Sequence, residues 1–494
     1  MENGNLQNNI DYVINNLGLK STAVIKRFYI GKEILTEAAI IYISGLVDKD
    51  IINRDILKPL MDKVNEDVNG KEDLCDYLAK RYISMSDSLI EDDINIAINR
   101  IKKGSTILLI DGVLQCLVFD TIGTSTRSIT EPENESAVKG PREGFIEDFK
   151  VNISFIRKKL KDKNLNIEFY TLGRRSQTDV AIIYIDDIVD KEVLNELIKR
   201  IKAIDVDDPF YTGAVQQYIE DYTYSIFPQT FATERPDRVA ADITEGKIAV
   251  LIDGSPFVII APALFIQFFQ AVEDYTQRTI ISSFVRLLRY FAAFVVITLP
   301  SIYLTLLKFN AELIPIKFIT PIIQSRIGIA LTPFLEILAM EIVVELLREG
   351  GLRLPTKIAQ TLSLVGGIII GDTAIKSRIV SPTTLLVVGI TVISTFLIPS
   401  YDMAIVIRML RFPMLILADV MGIYGIAVGW FFILVHLSSL ESLGVPYFEF
   451  HKSDMKDTFI RAPLWKMDKR PEVIPSNNAT RQRNFRDKIR GNKK

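Results

Sequence analysis

Three carboxylates lie where a carboxylate is expensive. Glu336, Glu341 and Glu345 fall inside the apolar stretch Ile327–Leu347, and Asp372 falls inside the small, apolar stretch Ile358–Ile375. A charge near the centre of a bilayer costs roughly 2.5–3.5 kcal/mol on insertion scales, so such a group faces protein or water. At about 100° per residue, Glu341 and Glu345 share a helix face while Glu336 points nearly opposite to Glu345. One polar stripe therefore does not hold all three. Three readings stay open for them: structural ion pairing, an interfacial helix, or lining a water-filled path. Asp372 shares a face with Thr361, Val365 and Ile368. In a ring of identical subunits, Val365 and Ile368 would close a pore by dewetting and Asp372 would form an acidic ring favouring cations, with Glu341 as a reserve for that role. Ser363, Gly367 and Gly371 recur at helical spacing on another face, as do Gly425 and Gly429, and small residues so spaced let membrane helices approach closely. A buried packing helix is the alternative reading of the 361–373 segment.

Enzyme chemistry lacks its parts. The two cysteines (Cys75, Cys116) and two histidines (His436, His451) have no metal-ligand spacing. No glycine-rich phosphate loop follows a strand, so neither a metal nor an organic cofactor is expected. Asp111-Gly112 and Asp253-Gly254 read as hairpin turns rather than catalytic aspartates. Arg174-Arg175 and Arg235 read as surface or interdomain salt-bridge residues. A net charge of -2 offers no global basic field for nucleic acid.

The elements that must position these groups divide into two halves. Before about residue 280 the chain reads as soluble, and one block occurs twice. Ala39–Ile43 and Val47-Asp48-Lys49 return as Ala181–Ile185 and Val189-Asp190-Lys191, and Gly104 and the Asp111-Gly112 hairpin return as Gly246 and Asp253-Gly254, all 142 residues later. Phe28-Tyr29 and Phe169-Tyr170 read as part of the same repeat. In the first copy, strands are expected near Val24–Ile30, Ala38–Ser44 and Thr106–Ile110. A helix should start near Asp48, 62–84 should be irregular, and a helix should run from Ser88 to Lys102. In the second copy, helices are expected over Phe145–Lys161, Lys191–Ile204 and Arg235–Thr244, with strands at Asn166–Thr171 and Asp179–Ile185. Residues 123–144 read as a polar linker that lets the copies move. From 284 to 440 long apolar runs suggest four to six spans, among them Tyr290–Leu307 and Val380–Pro399, with a possible break near Asp419–Gly422. The tail from His451 carries thirteen Lys or Arg against five acids and reads as a solvated, basic segment on the cytoplasmic side. The opening residues have no signal-peptide core, which places the soluble half on that side too.

The chain is thus expected to be an α/β (α+β) duplicated soluble N-terminal module followed by an all-α transmembrane bundle. The expected boundaries are 1–125, 126–280, 281–445 and, for the tail, 446–494.

Several local words carry a resemblance. They include Gly140-Pro141-Arg142-Glu143-Gly144-Phe145, Thr233-Glu234-Arg235-Pro236-Asp237, Asp253-Gly254-Ser255-Pro256-Phe257, Glu273-Asp274-Tyr275, Leu346–Glu349 with Arg353-Leu354-Pro355, and Gly444-Val445-Pro446-Tyr447. In this order over about residues 20–450 the chain resembles the A subunit of a GerA-type spore germinant receptor. The resemblance implies a non-enzymatic protein of the spore inner membrane that works with a transporter-like, germinant-binding B subunit and a C-subunit lipoprotein. It also implies a homo-oligomer forming a nutrient-gated cation channel. A non-conducting signalling scaffold is the alternative.

Overall fold

Valine- and isoleucine-rich runs bounded by glycine turns form two five-stranded sheets, antiparallel throughout. The computed structural model describes residues 5–17, 23–68, 73–85, 88–121, 131–132, 134–135, 137, 139–209, 211–355, 366–367 and 369–482. The first sheet contains β1 (Ala23–Ile30), β2 (Thr36–Ile43), β3 (Ser88–Glu91), β4 (Ser105–Ile110) and β5 (Cys116–Asp120), in the order β1-β2-β4-β5-β3. The second contains β6 (Leu165–Leu172), β7 (Thr178–Ile185), β8 (Phe231–Thr233), β9 (Ile248–Ile252) and β10 (Val258–Ala261), in the order β6-β7-β9-β10-β8.

Every ladder recurs 142 residues later in the same register. Ala38 pairs with Ile110 and Val180 with Ile252; Leu108 pairs with Leu117 and Val250 with Ile259; Glu91 pairs with Cys116 and Thr233 with Val258. The turn glycines recur in conformation as well. Gly104 and Gly246 both have φ +103°, and Gly112 and Gly254 have +78° and +77°, values that favour glycine. One match read from the sequence is out of register. Phe28 pairs with Ala38, whereas Phe169 pairs with Ala181, the equivalent of Ala39. A one-residue slip moves a side chain to the other face, and Phe28 is 4% exposed while Phe169 is 47% exposed.

Each sheet is covered on both faces. In the first unit α1 (Leu6–Leu17) covers one face, and its first turn is tied to the hairpin by Leu6 N–H donating to Asp111 Oδ1 at 3.0 Å. The opposite face packs on the wide helical turns 49–63 and on α2 (Leu74–Arg81). The helix expected over 88–102 is instead strand β3 followed by α3 (Ile94–Ile101), capped by Asp93. The irregular segment expected at 62–84 contains α2, whose buried Leu74, Cys75 and Leu78 supply the driving force.

In the second unit α4 (Phe149–Lys159) and α7 (Pro236–Thr244) lie on one face, and α5 (Lys191–Ala203) and α6 (Thr212–Ile219) on the other. Asp48 and Asp190 cap equivalent helical starts, each accepting from the N–H groups two and three residues ahead. Replacing Asp190 with Ala should cost about 1 kcal/mol. The measurement is the thermal midpoint of the full chain; an unchanged midpoint would mean that the cap contributes nothing.

The linker is partly docked. Arg235 is 1% exposed, not a surface residue, and donates to the carbonyls of Glu135 and Pro141 at 2.9 Å each while pairing with Asp237. Asn134 Nδ2 donates to Glu234 at 2.6 Å. Between the two units stands Arg157, 4% exposed, whose Nη1 donates to the Ser44 carbonyl at 3.2 Å. Burial pushes this guanidinium down to about 10.

The C-terminal region is helical: α8 (Thr279–Lys308), α9 (Ile316–Arg326), α10 (Pro333–Leu352), α11 (Pro382–Thr395), α12 (Tyr401–Met421) and α13 (Ile423–Ser439), with residues 369–376 helical between α10 and α11. Among the described residues only α8 is long and apolar enough to cross a membrane, against the four to six spans expected; α11 and α13 are apolar but have 14 and 17 residues. Helix α12 is continuous through Arg408, Arg411 and Pro413, and the break expected near Asp419–Gly422 falls at Gly422, with φ +62° and ψ −137°. The core of the second unit runs without interruption into this region, joining Phe268 and Ile260 to Val296, Met403 and Ile407. The tail expected to be solvated from His451 is docked in part over 451–482. Val473, Ile474 and Arg461 are buried, and Asn477 N–H donates to the Ile188 carbonyl at 2.9 Å.

Candidate functional site

Among the described residues, three clusters of buried ionisable groups stand out in the helical region. The first lies at the base of α8. Two turns of helix place Arg286 and Arg289 on its buried side, facing Asp274 in the short helical turn Glu273–Thr276. Arg286 Nε reaches Asp274 Oδ2 at 3.1 Å, and Arg289 Nη1 reaches Oδ1 at 2.8 Å. Arg286 also donates to Asp457 Oδ1 at 2.8 Å, and the Tyr275 hydroxyl donates to Asp457 Oδ2 at 2.8 Å. Burial, and then the Asp457 charge, push that phenol well above its usual range. Asp274, Arg286 and Arg289 are 2%, 0% and 5% exposed. The cluster ties the tail, through Asp457, to the start of the long helix.

The second cluster lies between α10 and α12. Glu341 is 1% exposed; Thr391 of α11 donates to its Oε1 at 3.3 Å, and Arg411 Nη1 approaches its Oε2 at 2.6 Å. That close approach lacks hydrogen-bond geometry, so both atoms remain unsatisfied. Glu345 is shared by Arg348 at 3.1 Å, Arg411 at 3.4 Å and Arg408 at 3.7 Å. Three guanidiniums thus face two carboxylates, and the charge of Glu341 is already compensated.

The third cluster is at the other end of α10. Glu336 is 0% exposed and accepts from Ser381 N–H at 3.3 Å and Thr384 Oγ1 at 2.8 Å, with Arg326 of α9 at 2.8 Å. Glu336 therefore receives the N-terminus of α11, which favours a negative charge, while Glu341 and Glu345 share Arg411.

The remaining sequence-derived candidates separate. Thr361, Ser363, Val365 and Ile368 lie outside the described residues. Asp372 is on the surface of the chain, 2.6 Å from Lys376, with side chains 55% and 75% exposed. Gly367 has open space around it and Gly371 only ordinary contact with Leu385. Gly425 and Gly429 are different: a Cβ at Gly425 would overlap the Leu417 carbonyl oxygen, and one at Gly429 would come within 2.6 Å of Met414 Sδ. Their spacing serves the contact of α12 with α13 inside one chain.

Sequence reasoning did not identify the Arg286–Asp274–Arg289 cluster or the Glu341–Arg411 pair. The available signal was chemical: carboxylates in an apolar run need bases, and Arg408 and Arg411 interrupt another such run.

Comparison with known proteins gives a concordant result. A model of the Bacillus/Clostridium GerA spore germination protein family matches residues 11–473. Spore germination protein KA of Bacillus subtilis is 37% identical over 97% of this chain and 88% of its own length. The uncharacterized membrane protein YfkQ of the same organism is 38% identical over 89% of this chain and 86% of its own length. The crystal structure of the N-terminal domain of the A subunit of the Bacillus megaterium spore germinant receptor GerK3 covers 54% of this chain and 97% of that chain, at 32% identity and a TM-score of 0.42. A family match across nearly the whole chain, together with relatives of this identity and coverage, makes the chain a member of the GerA family of spore germination proteins.

Proposed function

We propose that the chain is the integral membrane A subunit of a nutrient germinant receptor, which triggers germination by oligomerising into a germinant-gated cation channel. Family membership carries the germination role. The observation that best supports the membrane part is the set of buried charge clusters within apolar helices, each carboxylate having a base from another element. Such groups tolerate an apolar surrounding only when paired. The partners would be a transporter-like B subunit and a C-subunit lipoprotein.

Tie points between helices support both chain ends on one side, the cytoplasmic side of the spore inner membrane. Lys308 at the end of α8 bonds Asp419 near the end of α12 at 2.6 Å, so these helices run parallel, and α13 returns to bring His436 beside Ser225 of the second sheet unit. The pore role remains with Thr361, Val365, Ile368 and Asp372. Glu341 is a weaker candidate because Arg411 compensates it.

Ion flux through the full chain reconstituted in liposomes, with and without its partner subunits, tests the channel. Val365→Ala and Ile368→Ala should leak without germinant, and Asp372→Asn should lower cation preference. If all three variants conduct and select like the parent, the 361–373 segment does not line the pore. If the parent carries no current under any condition, the chain is a non-conducting scaffold.

A further inference from the structure

The second sheet unit carries an exposed aromatic loop beside the last helix. Its sequence over 221–227 is Asp-Tyr-Thr-Tyr-Ser-Ile-Phe. Both ends of the loop are fixed. Gln229 Oε1 accepts the N–H groups of Asp221 and Tyr222 at 3.0 and 2.9 Å, and Phe227 is 3% exposed against the His436 ring at 5.8 Å. The tip faces outward: Tyr224 is 102% exposed, Ile226 46% and Tyr222 43%. The loop's one carboxylate turns inward, Asp221 accepting from Arg200 at 2.5 Å and from Leu443 N–H at 2.7 Å. The outward surface is therefore uncharged and amphipathic.

The loop is tied to the end of the last helix by Phe227 against the His436 ring and by Ser225 Oγ 3.2 Å from His436 Nε2, and His436 lies in the last turn of α13. That helix has 17 residues. At 1.5 Å per residue it is about 26 Å long, slightly less than the roughly 30 Å hydrocarbon core of a bilayer. In the membrane reading proposed above its last turn lies at the lipid interface, and so does the loop bonded to it. Outward-facing Phe431, Phe432 and Val435 continue the apolar surface from the helix to Ile226. Behind Ile226 an apolar pocket of about 220 Å³, lined by Phe227, Leu410, Met414, Phe432 and Ile433, opens between the loop and the two helices.

We infer that the 221–227 loop is a membrane-interface anchor, with Tyr222 and Tyr224 at the headgroup level and the pocket behind Ile226 occupied by a phospholipid acyl chain. Tyrosine suits that depth because its ring is apolar and its hydroxyl keeps a polar partner. The anchor would fix the second sheet unit against the bilayer. This inference rests on the membrane reading above, and the test separates the two.

The full chain is reconstituted in vesicles of phosphatidylcholine and phosphatidylglycerol with a nitroxide at Tyr224→Cys, Phe432→Cys or Tyr12→Cys. The native Cys75 and Cys116 are both 0% exposed, so labelling goes to the introduced thiol. Accessibility to oxygen and to a water-soluble nickel chelate is read by power saturation. The anchor predicts nickel accessibility at 224 several-fold below that at 12, with oxygen accessibility retained, as at 432. Nickel access at 224 equal to that at 12, with 432 shielded, overturns the anchor and leaves the membrane reading intact. Nickel access at both 224 and 432 overturns both. Shielding of 224 from both reagents overturns the lipid assignment in favour of a contact between copies of the chain.

Discussion

Asp274→Ala should be the most damaging single substitution outside the sheets. It leaves Arg289 facing only the Phe269 carbonyl and removes one of the two carboxylates of Arg286, both guanidiniums being buried. Breaking a buried pair by removing one partner costs about 3–5 kcal/mol, because a charge stays buried without compensation. The expected result is a large fall in the thermal midpoint of the detergent-solubilised chain and a loss of accumulated protein. Combining Asp274→Leu with Arg289→Leu should recover part of the loss, since an apolar replacement of a buried pair removes the uncompensated charge. Glu349→Ala, which breaks the exposed pair with Arg353, should leave the midpoint unchanged. A parent-like midpoint for Asp274→Ala would show that the cluster does not hold the base of α8.

Gly425→Ala should have the next largest effect. The chain reverses at Gly422 in a backbone region open essentially to glycine, and α13 then runs back against α12. A methyl group at 425 meets the Leu417 backbone, which cannot rotate away as a side chain could. The two helices must separate, at a cost of about 1–3 kcal/mol or more. Gly367→Ala, with nothing among the described residues within 4 Å, is the control for an intrachain effect. If Gly425→Ala accumulates and unfolds like the parent, the close contact of α12 with α13 is not needed for folding.

The sheets were legible where the signal is local. Asp111-Gly112 and Asp253-Gly254 announce their hairpins, and the β-branched runs beside them need no distant information. Phe169 is not the counterpart of Phe28: the two-letter word matches one residue out of step, and only the pairing partner Ala181 reveals the shift. The 62–84 stretch hid α2 because the helix has only eight residues, two turns in which a helical period hardly shows, between charged flanks. Strand β3 merges in the sequence with the helix after it, because four residues are too short to display alternation against the amphipathic run that follows.

The charged clusters were half legible. The acids could be seen, but not which base each would meet: Glu341 and Arg411 are 70 positions apart, and Arg286 finds Asp457 at a separation of 171. Arg235 looked like a surface residue because nothing near it in sequence shows that linker carbonyls will fold over it. The tail was read from its composition, which reports charge but not the Val473 and Ile474 contacts that dock it.

The uninterrupted core between the second sheet and the helices has a consequence for how the protein is made. The first sheet unit closes on itself by Thr121, so all its strands are available soon after they leave the ribosome. The second cannot finish so early. Ala263 N–H waits for Ser442 Oγ, and Phe265 N–H waits for the Tyr447 carbonyl. At about 5–20 residues per second that delay is roughly 10–40 s of synthesis. Throughout it the apolar face bearing Phe268 and Ile260 lacks its final cover, while α8 to α13 are being synthesised. The nascent chain is therefore most open to aggregation and to proteolysis in its middle, and a chaperone has its longest window there.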